Sequence, residues 1–114
     1  MADVIETEII KREPVLGEMV RRLVEVYSPV RIYLFGSKAR GDDGADSDYD
    51  FLVVLPDDAP ERLRHGHIGQ NAIGAVDASK DILVCTIGFF TRRSRVVTSL
   101  PATVMREGKL LYAK

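Results

Sequence analysis

The pattern of apolar and polar residues along the chain predicts alternating helices and strands. Between positions 14 and 27 the apolar residues recur at helical spacing, and the charged residues fall on the opposite face. Pro14 suits the first turn of this helix, and the pair Ser28 and Pro29 ends it. Continuous apolar runs, which are typical of buried strands, follow at residues 30–35, 49–55 and 80–86.

Shorter segments complete the predicted order of elements. Residues 1–13 are polar and acidic, so we expect a loose lead-in. Residues 61–76 predict only a weak helix, because three internal glycines each cost about 1 kcal/mol relative to alanine. Phe89 and Phe90 are expected to be core residues. The pattern ends with a helix and a short strand, at residues 101–107 and 109–112.

These elements predict an α/β fold with a small mixed sheet of about three or four strands and helices packed mainly on one face. At this length, residues 1–114 are expected to form a single domain. An apolar content of 46% and a charged content of 29% are ordinary for a soluble globular protein.

Charge and hydropathy argue against two classes of protein. A formal net charge of −1 disfavours a non-specific nucleic-acid binder, and no direct sequence-specific binding of nucleic acid is expected. No apolar run approaches the roughly 18 residues of a membrane span, and the N-terminus is unlike a signal peptide. We therefore expect a cytoplasmic protein without membrane contact. Cys85 cannot form an internal disulfide and is expected to be a small buried apolar residue.

Candidate chemistry lies between the first two strands. Asp48 and Asp50 open the second strand, and strand side chains alternate between faces, so both project from one side about 6–7 Å apart. Two like-charged carboxylates in this arrangement favour a hard divalent cation such as Mg²⁺. Gly36 and Ser37 lie where the first strand turns into a short helix, whose N–H groups can hold a phosphate. A phosphate site beside an acidic pair indicates phosphoryl or nucleotidyl transfer.

This region resembles a known family. Gly36 and Ser37, followed after ten residues by Asp48 and Asp50, match the Gly-Ser-x10-Asp-x-Asp signature of the polymerase-β-like nucleotidyltransferase superfamily. The surrounding string is most similar to the minimal nucleotidyltransferases, and the similarity extends weakly to the tail of the chain. The resemblance implies the nucleotidyltransferase fold. It also implies a third carboxylate, for which Asp81 at the start of the third strand is the candidate.

The resemblance further implies a reaction and roles for these residues. A nucleoside monophosphate, expected to be AMP from ATP, would pass to an acceptor hydroxyl with release of pyrophosphate. The residues expected to be catalytic and to bind Mg²⁺ are Asp48, Asp50 and Asp81, and for Asp81 the alternative is a role as base for the acceptor hydroxyl. Gly36 and Ser37 would hold the β- and γ-phosphates. Arg40 is a candidate for nucleotide binding, with pairing to a nearby carboxylate as the alternative.

The resemblance also suggests a partner. Small relatives of this type are commonly paired with a HEPN-type toxin, so the acceptor is expected to be a protein such as that toxin, and the role that of an antitoxin. Two alternatives remain open. One is a non-catalytic binding module that neutralises its partner by contact, and the other is a small-molecule nucleotidyltransferase acting as a homo-oligomer. The presence of all three carboxylates favours the enzyme.

Other charged residues receive simpler interpretations. Three further acids of the 42–47 loop are expected to be surface carboxylates that add negative potential near the metal: Asp42, Asp43 and Asp46. His65 and His67 are expected to be surface residues, because positions two apart do not share a helix face. The arginine cluster is either a solvated helix face or a cationic patch facing phosphates or an acidic partner; its members are Arg92, Arg93 and Arg95.

Overall fold

A computed structural model of the chain describes residues 8–42, 44, 47–76 and 78–114. Within these residues helices and strands alternate. The helices are α1 (Glu8–Arg12), α2 (Pro14–Tyr27), α3 (Ser37–Arg40), α4 (Gly66–Ile73), α5 (Ile87–Arg93) and α6 (Leu100–Glu107), with a short 3-10 turn at Glu61–Leu63. The strands are β1 (Arg31–Phe35), β2 (Tyr49–Leu55), β3 (Lys80–Thr86) and β4 (Lys109–Ala113).

The four strands form one mixed sheet in the order β3-β2-β1-β4. β1 is antiparallel to both β2 and β4, whereas β2 and β3 run parallel. Parallel neighbours require a crossover connection, and the segment that contains α4 provides it. The C-terminal end of β1 and the N-terminal ends of β2 and β3 therefore lie at the same end of the sheet.

The larger core lies between the sheet and the helices α2 and α4. The apolar stripe of α2 is buried against the inward residues of β1 and β2. Burying each side chain of this size contributes about 1.5–3 kcal/mol. The fully buried side chains of α2 are Leu16, Met19, Val20, Leu23 and Tyr27.

Two glycines let α4 approach its neighbours closely. A β-carbon at Gly66 would overlap the backbone carbonyl of Ile82, and one at Gly69 would lie 2.8 Å from a methyl group of Leu23. The hydroxyl of Tyr27 donates to the carbonyl of His65 at 2.6 Å and accepts from the N–H of Gly69 at 2.8 Å. The glycines that weaken this helix as an isolated segment thus allow its packing.

Helices α5 and α6 cover part of the opposite face of the sheet. Phe90 stacks on Tyr33 of β1, with ring centroids 5.4 Å apart, and Val104 of α6 joins the same cluster. Helices therefore lie on both faces of the sheet, and the larger core is on the side of α2 and α4. Phe89 was expected in the core and is 43% exposed, because adjacent helical residues point about 100° apart.

The elements otherwise follow the pattern with small shifts. The predicted bounds of α2, β2 and β3 are confirmed, and the α/β class with a mixed sheet is confirmed. Helix α1 occupies part of the expected loose lead-in, and the weak helix of residues 61–76 divides into the 3-10 turn and α4. Asp43 and Asp46 lie outside the described residues. In the described part of the chain, no helix is long and apolar enough to cross a membrane.

Candidate active site

The strand register brings two of the predicted acids together. Asp50 of β2 lies opposite Asp81 of β3 in the parallel pair, and opposite Phe35, the last residue of β1, in the antiparallel pair. Neighbouring strands are about 4.7–4.9 Å apart, and directly opposed residues project from the same face. The two carboxylates therefore leave one face of the sheet side by side.

Gly36 lies against Asp50 on the side opposite to Asp81. Its backbone has a φ of 76°, a left-handed value that glycine adopts without strain. A β-carbon at this position would overlap the Asp50 carboxylate, so the side chain of Asp50 lies directly against the backbone of residue 36. The backbone carbonyl of Gly36 accepts hydrogen bonds from the N–H groups of Ala39 and Arg40, both at 3.1 Å. The strand-to-helix turn and the acid thus form one unit, with Ser37 as the first residue of α3.

Asp48 lies just before β2 and is exposed. Tyr49, which follows it, is anchored on both sides: its N–H donates to the carbonyl of Ser79 at 2.9 Å, and its hydroxyl donates to Glu13 at 2.6 Å. Asp50 follows the buried Tyr49 in the strand and therefore projects from the opposite face of the sheet. Asp48 precedes the strand, so its sharing of that face stays a prediction.

The electrostatics of the cluster are unfavourable in the absence of a cation. Burial raises the pKa of Asp50 above its ordinary value, and the negative charges of Asp81 and Asp48 raise it further, while Arg40 opposes them. A bound divalent cation would offset this repulsion, since it favours the ionised carboxylates.

The donors in this cluster are carboxylate oxygens, which hard cations such as Mg²⁺ prefer. Asp48 and Asp81 are both exposed to solvent, which leaves room for water ligands and for a substrate oxygen. Among the described residues, no three His, Cys, Asp or Glu side chains converge into a finished metal cluster.

Helix α3 carries two cations, of which Arg40 acts on Asp50. The guanidinium of Arg40 contacts Asp42 at 3.2 Å and Glu107 at 3.6 Å, and the hydrogen bond to Asp42 raises the pKa of Arg40. The ammonium of Lys38 lies 4.4 Å from the centre of the Tyr49 ring, a cation–π distance. Glu107 was not identified from the sequence, because it is distant from Arg40 along the chain and no local signal links them.

The remaining predicted residues lie away from the acids or face solvent. His65 and His67 are exposed, with ring centroids 5.7 Å apart, and His65 lies 3.2 Å from Glu61. Asp42 is exposed, as expected for a loop carboxylate. Arg92, Arg93 and Arg95 are exposed on the second face of the molecule, at the end of α5 and just beyond it.

Comparison with known protein families gives one clear match. The nucleotidyltransferase domain family matches residues 16–110, a range that contains Gly36, Asp50 and Asp81. Most of the chain therefore corresponds to this domain. Among curated proteins, no sequence matches the chain.

Solved structures with the same fold support this match. A toxin-antitoxin crystallised with AMP-PNP has 24% sequence identity and a TM-score of 0.56, covering 85% of this chain and 73% of its own. A putative nucleotidyltransferase from Sulfolobus solfataricus has 23% identity and a TM-score of 0.56, with coverage of 89% and 79%. A mutant of the toxin-antitoxin MntA-HpeT has 20% identity and a TM-score of 0.54, with coverage of 85% and 73%. At these identities the likeness concerns the fold.

Proposed function

The chain belongs to the nucleotidyltransferase domain family, and from this premise we propose that it transfers AMP from ATP to a hydroxyl group of a protein. The observation that carries the proposal is that Asp50 lies beside Asp81 on one side and against the backbone of Gly36 on the other. A turn that can receive phosphates and a pair of acids then face the same space. We assign the chain the role of an antitoxin that modifies a partner toxin.

In this proposal the residues of the turn bind and orient the triphosphate. Ser37 and the backbone at Gly36 hold the β- and γ-phosphates, which directs the α-phosphate toward the acids. Arg40 contributes positive charge at the end of α3, where it already influences Asp50. Its contacts with Asp42 and Glu107 hold the guanidinium near the turn.

Asp48 and Asp50 would hold Mg²⁺, and Asp81, which lies beside Asp50, would act as the base for the acceptor hydroxyl. When bound, this ion supplies charge neutralisation at the phosphates and a lower pKa for the acceptor hydroxyl. Asp50 has a partly buried carboxylate packed against Gly36, so its position is fixed before substrate binds. A fixed donor costs no reorganisation during the reaction.

The proposed transfer is a single displacement at phosphorus. The acceptor oxygen forms a bond to the α-phosphorus, and the bond between that phosphorus and the bridging oxygen of pyrophosphate breaks. The hydroxyl proton passes to Asp81, which is exposed and lies at the open edge strand of the sheet. The products are pyrophosphate and an acceptor that carries AMP through a phosphodiester.

Support for a protein acceptor comes from two of the structures with the same fold. Both are described as toxin-antitoxins, and one of them was crystallised with AMP-PNP. We propose that a HEPN-type toxin is the partner of this chain as well. The test is co-expression with a HEPN-type toxin, followed by incubation of the purified pair with Mg²⁺ and ATP radiolabelled at the α-phosphate.

The expected result is label on the partner for the wild type and for Asp58→Asn, and none for Asp50→Asn. Asp58 is a matched control, because it is an exposed aspartate in the turn after β2. Equal labelling by all three proteins, or no label with any of them, would contradict the proposal.

A second candidate, neutralisation by contact, is favoured by exposed apolar side chains. Val97 is 74% exposed and Met105 is 59% exposed, which is uncommon for apolar side chains of this size. The same co-expression separates the two functions. Protection of cells by Asp50→Asn as complete as by the wild type would indicate contact alone, and loss of protection would indicate transfer.

A further inference from the structure

A groove of about 320 Å³, lined in part by Leu52 and Leu83, lies close to Asp50 and Asp81. Leu52 of β2 lies opposite Leu83 of β3, two residues beyond the pair Asp50 and Asp81. Residues two apart on a strand share a face and are separated by about 6–7 Å. The groove therefore begins one side-chain spacing from the two carboxylates.

The lining of the groove is largely apolar and open to solvent. Leu83 is 40% exposed and Phe89 is 43% exposed, although both are large apolar side chains. Cys85 and Leu100 form further parts of the wall, and burial in this surface raises the pKa of the Cys85 thiol to about 11. Adjacent exposed apolar groups in a concave surface are typical of a binding site.

The wall on the α5 side is held in place by one buried hydroxyl. Ser99 is buried, and its side chain donates to the carbonyl of Arg93 at 2.5 Å and accepts from the N–H of Ala102 at 3.2 Å. This residue therefore joins the end of α5 to the start of α6. The two helices that border the groove are fixed relative to each other at this point.

One cation lines the groove without an acidic partner. In the residues that the structure describes, Arg93 forms no ion pair, whereas Arg22 and Arg40 each pair with a carboxylate. From position 82 to position 106 the sequence contains four arginines and no aspartate or glutamate. The α5 side of the groove therefore carries positive charge through Arg93, whereas Asp50 and Asp81 place negative charge at its other end.

We propose that this groove binds the acceptor segment of the partner protein, and this inference rests on the proposed function. The segment is extended, with its hydroxyl residue at Asp81, an apolar residue two positions away in the groove, and an acidic residue beyond it at Arg93. In an extended chain residues two apart lie about 6–7 Å apart on one side, which matches the spacing from Asp81 to Leu83. Charge complementarity selects an acidic segment over a basic one.

The test uses synthetic peptides of defined sequence. The probe peptides carry Ser-Gly-Leu-Glu-Glu and, for the opposite chain direction, Glu-Glu-Leu-Gly-Ser, each with neutral ends. Matched peptides replace the leucine with glycine, or the two glutamates with lysines. Binding is followed without nucleotide as protection of Cys85, the only cysteine of the chain, against alkylation at mildly alkaline pH.

The protein variants are Arg93→Glu and, as the control, Arg92→Glu. Both replace a positive charge by a negative one at the same exposed end of α5, but Arg92 is not among the residues that line the groove. We expect one of the two probe peptides to protect Cys85 equally in the wild type and in Arg92→Glu. In Arg93→Glu, the same protection of Cys85 is expected to require about a tenfold higher concentration of that peptide. The matched peptide with lysines should protect this variant better than the peptide with glutamates.

Three results would overturn the inference: protection that survives replacement of the leucine by glycine, an equal effect of both arginine variants, or protection by Mg·ATP in place of the peptides. The shift in melting temperature caused by Mg·ATP, measured in parallel, separates the two proposals. A Mg·ATP shift without any peptide protection refutes the acceptor groove and leaves nucleotide binding intact. Peptide protection with the expected pattern, without a Mg·ATP shift, supports the groove and refutes the proposed transfer.

Discussion

Gly36 and Asp50 are in such close contact that a single methyl group on residue 36 would overlap the carboxylate of residue 50. The contact joins the end of β1 to the start of β2 at the point where the antiparallel register places Phe35 opposite Asp50. A glycine is required here for two separate reasons, its left-handed backbone and the absence of a side chain. These two requirements can be separated by experiment.

Three glycine-to-alanine variants separate the two effects that a side chain at position 36 would have on the free energy of unfolding. Gly41→Ala places a side chain at a φ of 86° but in open space, so a loss of about 1–2 kcal/mol of unfolding free energy is expected. Gly36→Ala adds the overlap with Asp50, so its loss is expected to be larger. Gly44→Ala has open space and no left-handed φ, and it should change little. Urea unfolding measures all three, and equal losses for Gly36→Ala and Gly41→Ala would contradict the overlap.

Removing the charge of Asp50 should stabilise the protein in the absence of metal. The pKa of Asp50 is raised by burial and by neighbouring carboxylates, so the folded state holds this proton more tightly than the unfolded state. Stability therefore falls as the pH rises through the raised pKa. Asp50→Asn should exceed the wild type in unfolding free energy near pH 7, and the gain should vanish below about pH 4.

The measurement is urea unfolding in a chelator at both pH values, with Asp58→Asn as the control. Asp58 is exposed and lies in the turn after β2, so the corresponding gain is not expected. A gain for Asp50→Asn that is equal at the two pH values would show that electrostatic repulsion is not its cause.

Alanine variants of Arg40 and Glu107 show whether Arg40 has a structural role or binds the nucleotide. The pair is half exposed, and exposed ion pairs contribute about 0–1 kcal/mol, so Arg40→Ala and Glu107→Ala should both have small effects on unfolding. Only Arg40→Ala should weaken Mg·ATP binding, because Glu107 carries no positive charge toward the phosphates. Calorimetric titration tests this, and equal weakening by both variants would assign Arg40 to a structural role.

The thiol of Cys85 should react slowly. Burial raises its pKa to about 11, so little thiolate is present at pH 8. After allowance for the higher nucleophilicity of a high-pKa thiolate, alkylation at pH 8 should be roughly 20-fold slower than for an ordinary cysteine. The rate should keep rising toward pH 11, and the same chain unfolded in urea provides the control. A plateau below pH 9 in the folded protein would contradict the raised pKa.

Much of the fold could be predicted from local pattern. The periodic apolar residues of α2 and the continuous apolar runs of β2 and β3 fixed the bounds of these elements, because each pattern depends on residues that are close in sequence. The pairing of Asp50 with Asp81 could not be derived in this way. It depends on a parallel register between strands separated by the whole α4 crossover.

Glycines and aromatic residues show where local reasoning fails. Gly66 and Gly69 weaken an isolated helix, yet the fold uses both for the close approach of α4 to Ile82 and Leu23. Local propensity cannot reveal a neighbour that arrives from another part of the chain. The two phenylalanines of α5 look equivalent in sequence, but only Phe90 faces Tyr33 of the sheet.

The most direct test of the central claim, a nucleotide site built from the acids and the Gly36 turn, is thermal unfolding with Mg·ATP. A ligand at ten times its Kd adds about 1.4 kcal/mol, which corresponds to roughly 4–6 °C for a domain of this size. We predict this shift for the wild type and Asp58→Asn, its loss in the presence of a chelator, and its absence in Asp50→Asn. No shift in the wild type, or an equal shift in Asp50→Asn, would contradict the account.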